Sequence, residues 1–189
     1  MKKIKLLFIL MMMFWLLGSA GPMYDYMLIK PPVNSAVYHY MPVETTRELD
    51  PPRRKVPKQY QAMFANASES AGLPPGVLES IAYVESRFTA AIRSPLYRNG
   101  YSDCGMFQFN SRFLRWYSDT YNKGILFDPF NPDEAIKIAA LHISFLHKRY
   151  GNWAEAFMAY NAGMDRIDRG VIPDSAWDYL ARIYRSDEL

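Results

Sequence analysis

The chain has 189 residues, 50% of them hydrophobic and 15% aromatic, and a formal net charge of +3 at pH 7. Lys2, Lys3 and Lys5 supply this excess, because residues 1–20 contain no acid and the rest of the chain sums to 3 − 3 = 0. A neutral remainder excludes a polybasic nucleic-acid binder. The single cysteine, Cys104, excludes an intramolecular disulfide and a cysteine-based metal cluster.

The first 20 residues have the pattern of a secretory signal peptide. A basic start, MKKIK, precedes the apolar run LLFILMMMFWLL and the small residues Gly18 and Ala20. The run is about a dozen residues long, whereas a membrane-spanning helix needs roughly 20. We therefore predict cleavage after Ala20, with a retained anchor as the alternative. Export without a disulfide suits a bacterial periplasm better than a small secreted eukaryotic scaffold, so we expect a periplasmic or cell-envelope protein.

Residues 21–58 are rich in proline and contain the basic cluster RRK at 53–55. This composition predicts a linker or arm, and it is a candidate docking segment for an envelope protein partner. The composition changes near residue 58 to helical periods separated by short breakers. Residues 59–189 have the length of one ordinary domain, which we expect to be monomeric.

Helical periodicity recurs through residues 59–189. The predicted helices cover 59–71, a segment entered through LPPG at 73–76 and ending near 88, 110–121, 131–151, 152–163 and 175–185. The longest has Asn131 as its N-cap and apolar residues on more than one face, so we predict that it is the central buried helix. Ser175 and Asp178 have capping-box spacing. The fold class is mainly α, with room for a small β-hairpin within 93–108.

Glu85 lies in the segment IAYVESRF of the second predicted helix. At 100° per residue it falls about 20° from Leu78 and about 40° from Ile81, on the apolar stripe. A carboxyl group in such a setting has a raised pKa, as a general acid at neutral pH requires. Position alone leaves open the alternative that the stripe ends one turn earlier and that Glu85 is solvated.

Other catalytic and binding motifs are missing from the sequence. His142 and His147 are five residues apart and do not share a helix face for metal binding. There is no Gly-rich phosphate loop and no nucleophile elbow. We therefore predict neither a metal nor a cofactor.

Three short strings follow the pair Glu85–Ser86. They are GMFQFN at 105–110, AYNAG at 159–163 and YLARI at 179–183. Each string alone is weak evidence for a protein family, but the three together, in this order after Glu85–Ser86, are specific for one. From about residue 58 to its end, the chain resembles the lytic transglycosylase family with the soluble-type (SLT), lysozyme-like catalytic domain. The resemblance implies an α-rich lysozyme-like fold and cleavage of the β-1,4 bond between N-acetylmuramic acid and N-acetylglucosamine in peptidoglycan.

The resemblance also implies roles for individual residues. Glu85 matches the catalytic glutamate, and Ser86 matches the serine that orients the carboxylate or the substrate. The implied substrate-binding residues are Ser86, Gly105, Met106, Phe107, Gln108, Tyr160, Asn161 and Tyr179. Met106 and Phe107 replace the usual Leu and Met of the family string, and Tyr179 is expected to reach Glu85.

The number of available carboxylates bears on the mechanism. Glycosidases generally use two, but the acids Asp103, Asp119 and Asp128 are predicted to be caps or turn residues. With one carboxylate, we expect Glu85 to act first as an acid and then as a base towards the C6 hydroxyl of the muramic residue, which would give a 1,6-anhydro product.

Two other functions compete with this interpretation. One is a hydrolytic muramidase resembling goose-type lysozyme, in which Asp103 or another acid positions water. The other is a peptidoglycan-binding or assembly module without turnover. The combination of Glu85, Gln108 and Tyr160 argues against the second, because a pure binder does not need a buried proton donor.

Overall fold

The computed structural model describes residues 51–185. The predicted signal peptide and the arm as far as residue 50 lie outside the described residues. The helices of the described part are α1 (Gln61–Ala71), α2 (Val77–Ser86), α3 (Leu114–Tyr121), α4 (Pro132–Tyr150), α5 (Trp153–Ala162), α6 (Met164–Asp168) and α7 (Asp174–Tyr184). Within residues 51–185, no helix combines the length and the apolar character that crossing a membrane demands.

Local sequence signals explain where α1 and α2 begin and end. Helix α1 ends at Gly72, whose φ of 67° permits a left-handed cap. Helix α2 begins after Gly76, and the Glu79 carboxylate accepts a hydrogen bond of 3.0 Å from the Gly76 N–H. It ends at Ser86, because Arg87 and Phe88 both adopt positive φ.

Helix α4 is the central helix, as the sequence predicts. The Asn131 side chain accepts from the backbone N–H of Asp133, Pro132 occupies the first turn, and Gly151 forms the left-handed C-cap. The helix packs against α1, α2, α3 and α5, while α7 packs against α5 and α2. It buries residues on several faces, so α4 forms the middle of the core.

A small antiparallel hairpin interrupts the helices. Strand β1 (Asp103–Cys104) pairs with β2 (Phe109–Asn110), with Cys104 opposite Phe109. The predicted mainly α class with a small hairpin is therefore confirmed. The predicted helix at 110–121 begins only at Leu114, because a 3₁₀ turn at Ser111–Phe113 precedes it and the Asn110 side chain caps that turn.

The end of the chain differs from the prediction in two ways. Ser175 is not an N-cap, because α7 already begins at Asp174, after Pro173 in an extended conformation. The five-residue helix α6, which follows Gly163, was not predicted. It is too short to show a clear helical period in the sequence.

Candidate active site

Glu85 is the penultimate residue of α2 and is half-buried. Burial raises the pKa of its carboxyl group from the ordinary 4.5 to about 7. The Tyr179 hydroxyl and the positive charge of Arg182 lower this pKa, whereas the negative charge of Asp103 raises it. Desolvation is the largest of these effects, so a large fraction of Glu85 is protonated at neutral pH.

Helix α7 supplies two of the groups that act on Glu85. Tyr179 is fully buried, and Arg182 follows one turn later on an exposed part of the helix. The Arg182 guanidinium lies 5.4 Å from the centre of the Tyr179 ring. The Tyr179 hydroxyl is buried and does not meet ordinary hydrogen-bond geometry with any residue in 51–185. The hydroxyl therefore lowers the pKa of Glu85 as a nearby donor, and no other acceptor within residues 51–185 binds it.

Ser86 connects the end of α2 to the hairpin loop. Its hydroxyl lies 2.7 Å from the backbone oxygen of Met106 and 3.2 Å from that of Ala82. The same hydroxyl oxygen accepts from the N–H of Thr89 at 3.1 Å. The residue next to Glu85 is thus fixed to the loop between β1 and β2.

The backbone of this loop, residues 105–108, is tightly packed. Gly105 has φ of 74°, and a Cβ atom there would lie 1.8 Å from the backbone oxygen of Pro129. Gln108 also has positive φ, 49°, and its side-chain amide donates to the Gly105 oxygen at 2.8 Å. Only glycine permits this approach of two backbones at position 105.

Met106 and Phe107 contact the site through their backbones. Both side chains are fully buried in the core, and their expected role in substrate binding stays a prediction. The Phe107 carbonyl accepts from the Tyr160 hydroxyl at 2.8 Å, and the Met106 carbonyl binds Ser86. The two positions hold the loop in place against the helices.

Tyr160 and Asn161 lie on the last turn of α5. Tyr160 is half-buried, and burial together with the charge of Glu85 raises its pKa. Its hydroxyl therefore stays protonated and serves as a neutral donor. Asn161 is exposed, and none of the interactions described for Glu85 within residues 51–185 involves its side chain.

Asp103, on β1, is the second carboxylate near Glu85. One of its oxygens accepts from the Asn110 side-chain amide at 2.8 Å, and the other accepts from the Tyr97 hydroxyl. The hydrogen bond to Asp103 raises the pKa of Tyr97. Both carboxylate oxygens are thus engaged by donors from the hairpin region.

A cluster of aromatic rings surrounds His142 and includes Tyr160. The His142 ring is 5.0 Å from that of Tyr117 and 5.6 Å from that of Tyr160, and its Nδ1 is 3.0 Å from the Tyr121 hydroxyl. Burial lowers the pKa of His142 to about 3, so this histidine is neutral. No three His, Cys, Asp or Glu side chains of residues 51–185 approach closely enough to hold a metal ion.

The structure thus brings Glu85, Ser86, Tyr160 and Tyr179 together with the loop 105–108. Sequence reasoning missed Arg182, whose separation of three residues from Tyr179 puts both on one face of α7 and is the signal that could have revealed it. It also missed Tyr117, whose pKa is raised mainly by burial and to a smaller extent by the charges of Tyr121 and Glu85. No sequence string marks that residue.

The chain resembles several characterised proteins. One relative is the peptidoglycan transglycosylase gp16 of Escherichia phage T7, 28% identical over 120 residues, which are 63% of this chain and 9% of that protein. The lytic transglycosylase Slt of Pseudomonas aeruginosa, solved as an inactive mutant, has a TM-score of 0.53 at 22% identity and covers 68% of this chain and 22% of its own. The 70 kDa soluble lytic transglycosylase of Escherichia coli gives 0.52 at 20% identity, with coverages of 66% and 22%.

The two solved structures share the fold, which confirms the lysozyme-like architecture predicted from the sequence. The chain spans less than a quarter of the length of each of these three relatives. The family described as the transglycosylase SLT domain matches residues 62–174, which is more than half of the chain. Since this range contains Glu85, Tyr160 and the loop 105–108, the chain belongs to the transglycosylase SLT domain family.

Proposed function

We propose that the chain is a lytic transglycosylase that cleaves the β-1,4 bond between N-acetylmuramic acid and N-acetylglucosamine in peptidoglycan and forms a 1,6-anhydro product. The observation that carries the proposal is the half-buried Glu85 carboxyl with its pKa raised to about 7. The family match and the name of the phage relative, a peptidoglycan transglycosylase, support the substrate class.

In the first step, neutral Glu85 donates its proton to the glycosidic oxygen. The bond between the anomeric carbon and this oxygen breaks, and the bonding electrons leave with the N-acetylglucosamine O4. Glu85 becomes a carboxylate, which the Tyr179 hydroxyl and the Arg182 charge stabilise. These two groups therefore favour the form of Glu85 that proton transfer creates.

In the second step, the Glu85 carboxylate accepts the proton of the muramic C6 hydroxyl. The hydroxyl oxygen bonds to the anomeric carbon and closes the 1,6-anhydro ring. A pKa of about 7 suits both steps, because a group near the ambient pH is effective as an acid and as a base. The nucleophile belongs to the substrate itself, so its proximity replaces a positioned water.

A hydrolytic muramidase is the second candidate, and Asp103 favours it. Its charge is close enough to Glu85 to raise the pKa of that residue, so two carboxylates lie in one region. However, Asn110 and Tyr97 already bind both oxygens of Asp103. These two bonds hold Asp103 in the hairpin region, and no hydrogen bond described within residues 51–185 joins it to Glu85, which favours the transglycosylase.

The products of peptidoglycan digestion distinguish these functions. Protein lacking residues 1–20 is incubated with purified peptidoglycan, and the soluble muropeptides are analysed by mass spectrometry, with Glu85→Gln as the matched control. We expect 1,6-anhydro muropeptides from the wild type and none from the variant. Muropeptides with only reducing ends would instead identify a hydrolase, and equally negligible cleavage by both proteins would favour a binding module.

We also propose that residues 1–20 direct export to the envelope, where the substrate lies. Residues 21–58 form an arm that precedes the catalytic domain, 59–189, and is a candidate docking segment for an envelope protein; the last residues of this arm contact the domain. Fusion of residues 1–20 to a reporter that is active only in the periplasm tests the first part. A reporter that stays inactive would reject the signal peptide.

A further inference from the structure

Residues 51–56, which we name the strap, pack along the domain ahead of α1. A Cβ atom on Gly76 would lie 2.5 Å from the backbone oxygen of Pro51, so the strap touches the backbone at the start of α2. One turn further along, the Ser80 hydroxyl donates to the backbone oxygen of Pro52 at 3.0 Å. The beginning of the strap is therefore fixed to α2.

Arg54 connects the strap to the C-terminal end of α7. One terminal nitrogen of its guanidinium, Nη2, lies within hydrogen-bond distance of backbone oxygens at the C-terminal end of α7, those of Arg182 at 3.3 Å, Ile183 at 3.1 Å and Arg185 at 2.5 Å. The two hydrogens of this nitrogen are shared among the three acceptors. The last carbonyls of a helix have no partner within the helix and carry a partial negative charge. A cation that donates to these carbonyls supplies the missing hydrogen bonds and a favourable charge, and so it stabilises the end of the helix.

The same guanidinium also contacts α2. It lies 4.7 Å from the centre of the Tyr83 ring, within the range of a cation–π interaction. Tyr83 precedes Glu85 by two residues on α2, and the carbonyls of Arg182 and Ile183 belong to the turn of α7 that follows Tyr179. Arg54 thus joins the two helix turns that carry Glu85 and the groups acting on it.

We propose that Arg54 is a positioning residue: through the strap, it holds the last turn of α7 against α2, so that Tyr179 and Arg182 stay directed at Glu85. The strap lies before the family match at residues 62–174, and the last turn of α7 lies after it. The contact between Arg54 and the last turn of α7, which we name the clasp, is therefore formed by segments that flank the family domain. Its catalytic consequence rests on the proposed function, whereas its effect on Glu85 does not.

The direction of the effect on the Glu85 pKa follows from the groups that act on that carboxyl. Tyr179 and Arg182 both lower the pKa of Glu85. If the last turn of α7 loosens, both influences weaken while desolvation by the other elements persists. The pKa of Glu85 then rises above about 7, and the final amides of α7 exchange with solvent more rapidly.

The test uses the full chain with Arg54→Met, which keeps the aliphatic stem and removes the donors. Arg53→Met is the matched control, because Arg53 is exposed and carries the same charge one residue away. The Glu85 carboxyl is titrated by ¹³C NMR, with its signal assigned from Glu85→Gln, and amide hydrogen exchange is measured over residues 179–185. We expect a rise in the Glu85 pKa of about half a unit and about tenfold faster exchange for Arg54→Met, and neither change for Arg53→Met.

Arg54→Lys separates the planar guanidinium from the charge. An ammonium group keeps the charge and can donate to the same carbonyls, but it lacks the planar group that also lies on the Tyr83 ring, so we expect values between those of the wild type and Arg54→Met. A folded Arg54→Met with unchanged titration and exchange would overturn the proposal. If Arg54→Met does not fold, Arg54→Lys with wild-type values would do the same. Neither readout needs turnover, so a wild type without anhydro products would reject the proposed function and leave the clasp to be judged on these data.

Discussion

The hydroxyl of Tyr179, on α7, lowers the pKa of the Glu85 carboxyl, on α2, while burial of that carboxyl raises it. Tyr179 is itself fully buried, and both burial and the nearby Glu85 raise the pKa of its hydroxyl. The tyrosine therefore remains a neutral donor across the range in which Glu85 titrates. It favours the carboxylate without supplying a charge of its own.

Replacing Tyr179 with Phe removes this donor and keeps the ring. We expect the Glu85 pKa to rise by up to about one unit, because the variant loses the nearby donor that lowers this pKa, and one pKa unit is about 1.4 kcal/mol. Since the acid must be protonated, the fall of kcat/KM with rising pH should then shift upwards from about 7. The pH profile of peptidoglycan cleavage measures this shift.

Tyr150→Phe is the control for that substitution. The hydroxyl of Tyr150, the last residue of α4, donates to Asp168 at the end of α6, and Tyr150 is not among the groups that act on Glu85. Its loss should leave the pH profile unchanged. A Tyr179→Phe profile that coincides with that of Tyr150→Phe would show that Tyr179 does not tune Glu85.

Glu85→Gln should make the folded protein more stable at high pH. The pKa of Glu85 is raised in the folded state, from 4.5 to about 7, so its contribution to stability is fully present below pH 4.5 and is lost as the pH rises through 7. Glutamine cannot ionise and avoids that loss. We expect a gain in the free energy of unfolding on the order of 1–3 kcal/mol at pH 8 and almost none at pH 4.

Urea denaturation of both proteins at the two pH values measures this gain. The activity of Glu85→Gln should be abolished at every pH, because the acid of both proposed steps is gone. A stability difference that is the same at pH 4 and pH 8 would mean that Glu85 is as well solvated in the folded chain as in the unfolded one.

The helices were predictable because their signals are local. Asn131, Pro132 and Gly151 mark the ends of α4, and the structure places both ends within a residue of the prediction. The end of α2 was less predictable, since Arg87 and Phe88 adopt left-handed φ without being glycine. Phe88 is buried against Phe64, a tertiary contact that offsets the backbone strain and has no local signature.

The site was predictable only in part. The apolar stripe and the family strings indicate Glu85, and its burial agrees with the expected raised pKa. The strings do not reveal that the side chains of Met106 and Phe107 point into the core, because a string of letters records identity and not direction. The sequence places Arg54 only in the basic cluster of a predicted arm, because its partners are backbone carbonyls more than 120 residues away in sequence.

Gly105→Ala should destabilise the protein severely. The new Cβ atom would lie 1.8 Å from the Pro129 oxygen, and alanine is strained at a φ of 74°. The left-handed conformation costs about 1–2 kcal/mol, and relieving the overlap requires movement of the backbone, so we expect a loss of about 3 kcal/mol or more. Gly100→Ala is the control, because it has φ of 80° and no atom within 4 Å of the added Cβ.

Thermal and urea unfolding compare the two glycine variants. Gly100→Ala should lose only the conformational cost, about 1–2 kcal/mol. Equal losses for both variants would contradict the close approach between the loop 105–108 and the Pro129 backbone, because the strain of positive φ would then account for the whole effect.

Ser86→Ala should loosen the hairpin loop from α2. The Ser86 hydroxyl lies 2.7 Å from the Met106 oxygen in a buried setting, and removing the donor leaves that carbonyl without this partner at a cost of about 1–3 kcal/mol. Ser68→Ala is the matched control: Ser68 is also a buried helical serine, but its hydroxyl has no hydrogen-bond partner among the described residues. Ser68→Ala should therefore be neutral or slightly stabilising in urea denaturation, since it removes an unsatisfied polar group. Because Ser86 adjoins Glu85, its loss should also reduce kcat for peptidoglycan cleavage, whereas Ser68→Ala should not. If both variants denature at the same urea concentration, the bond between Ser86 and Met106 does not hold the loop.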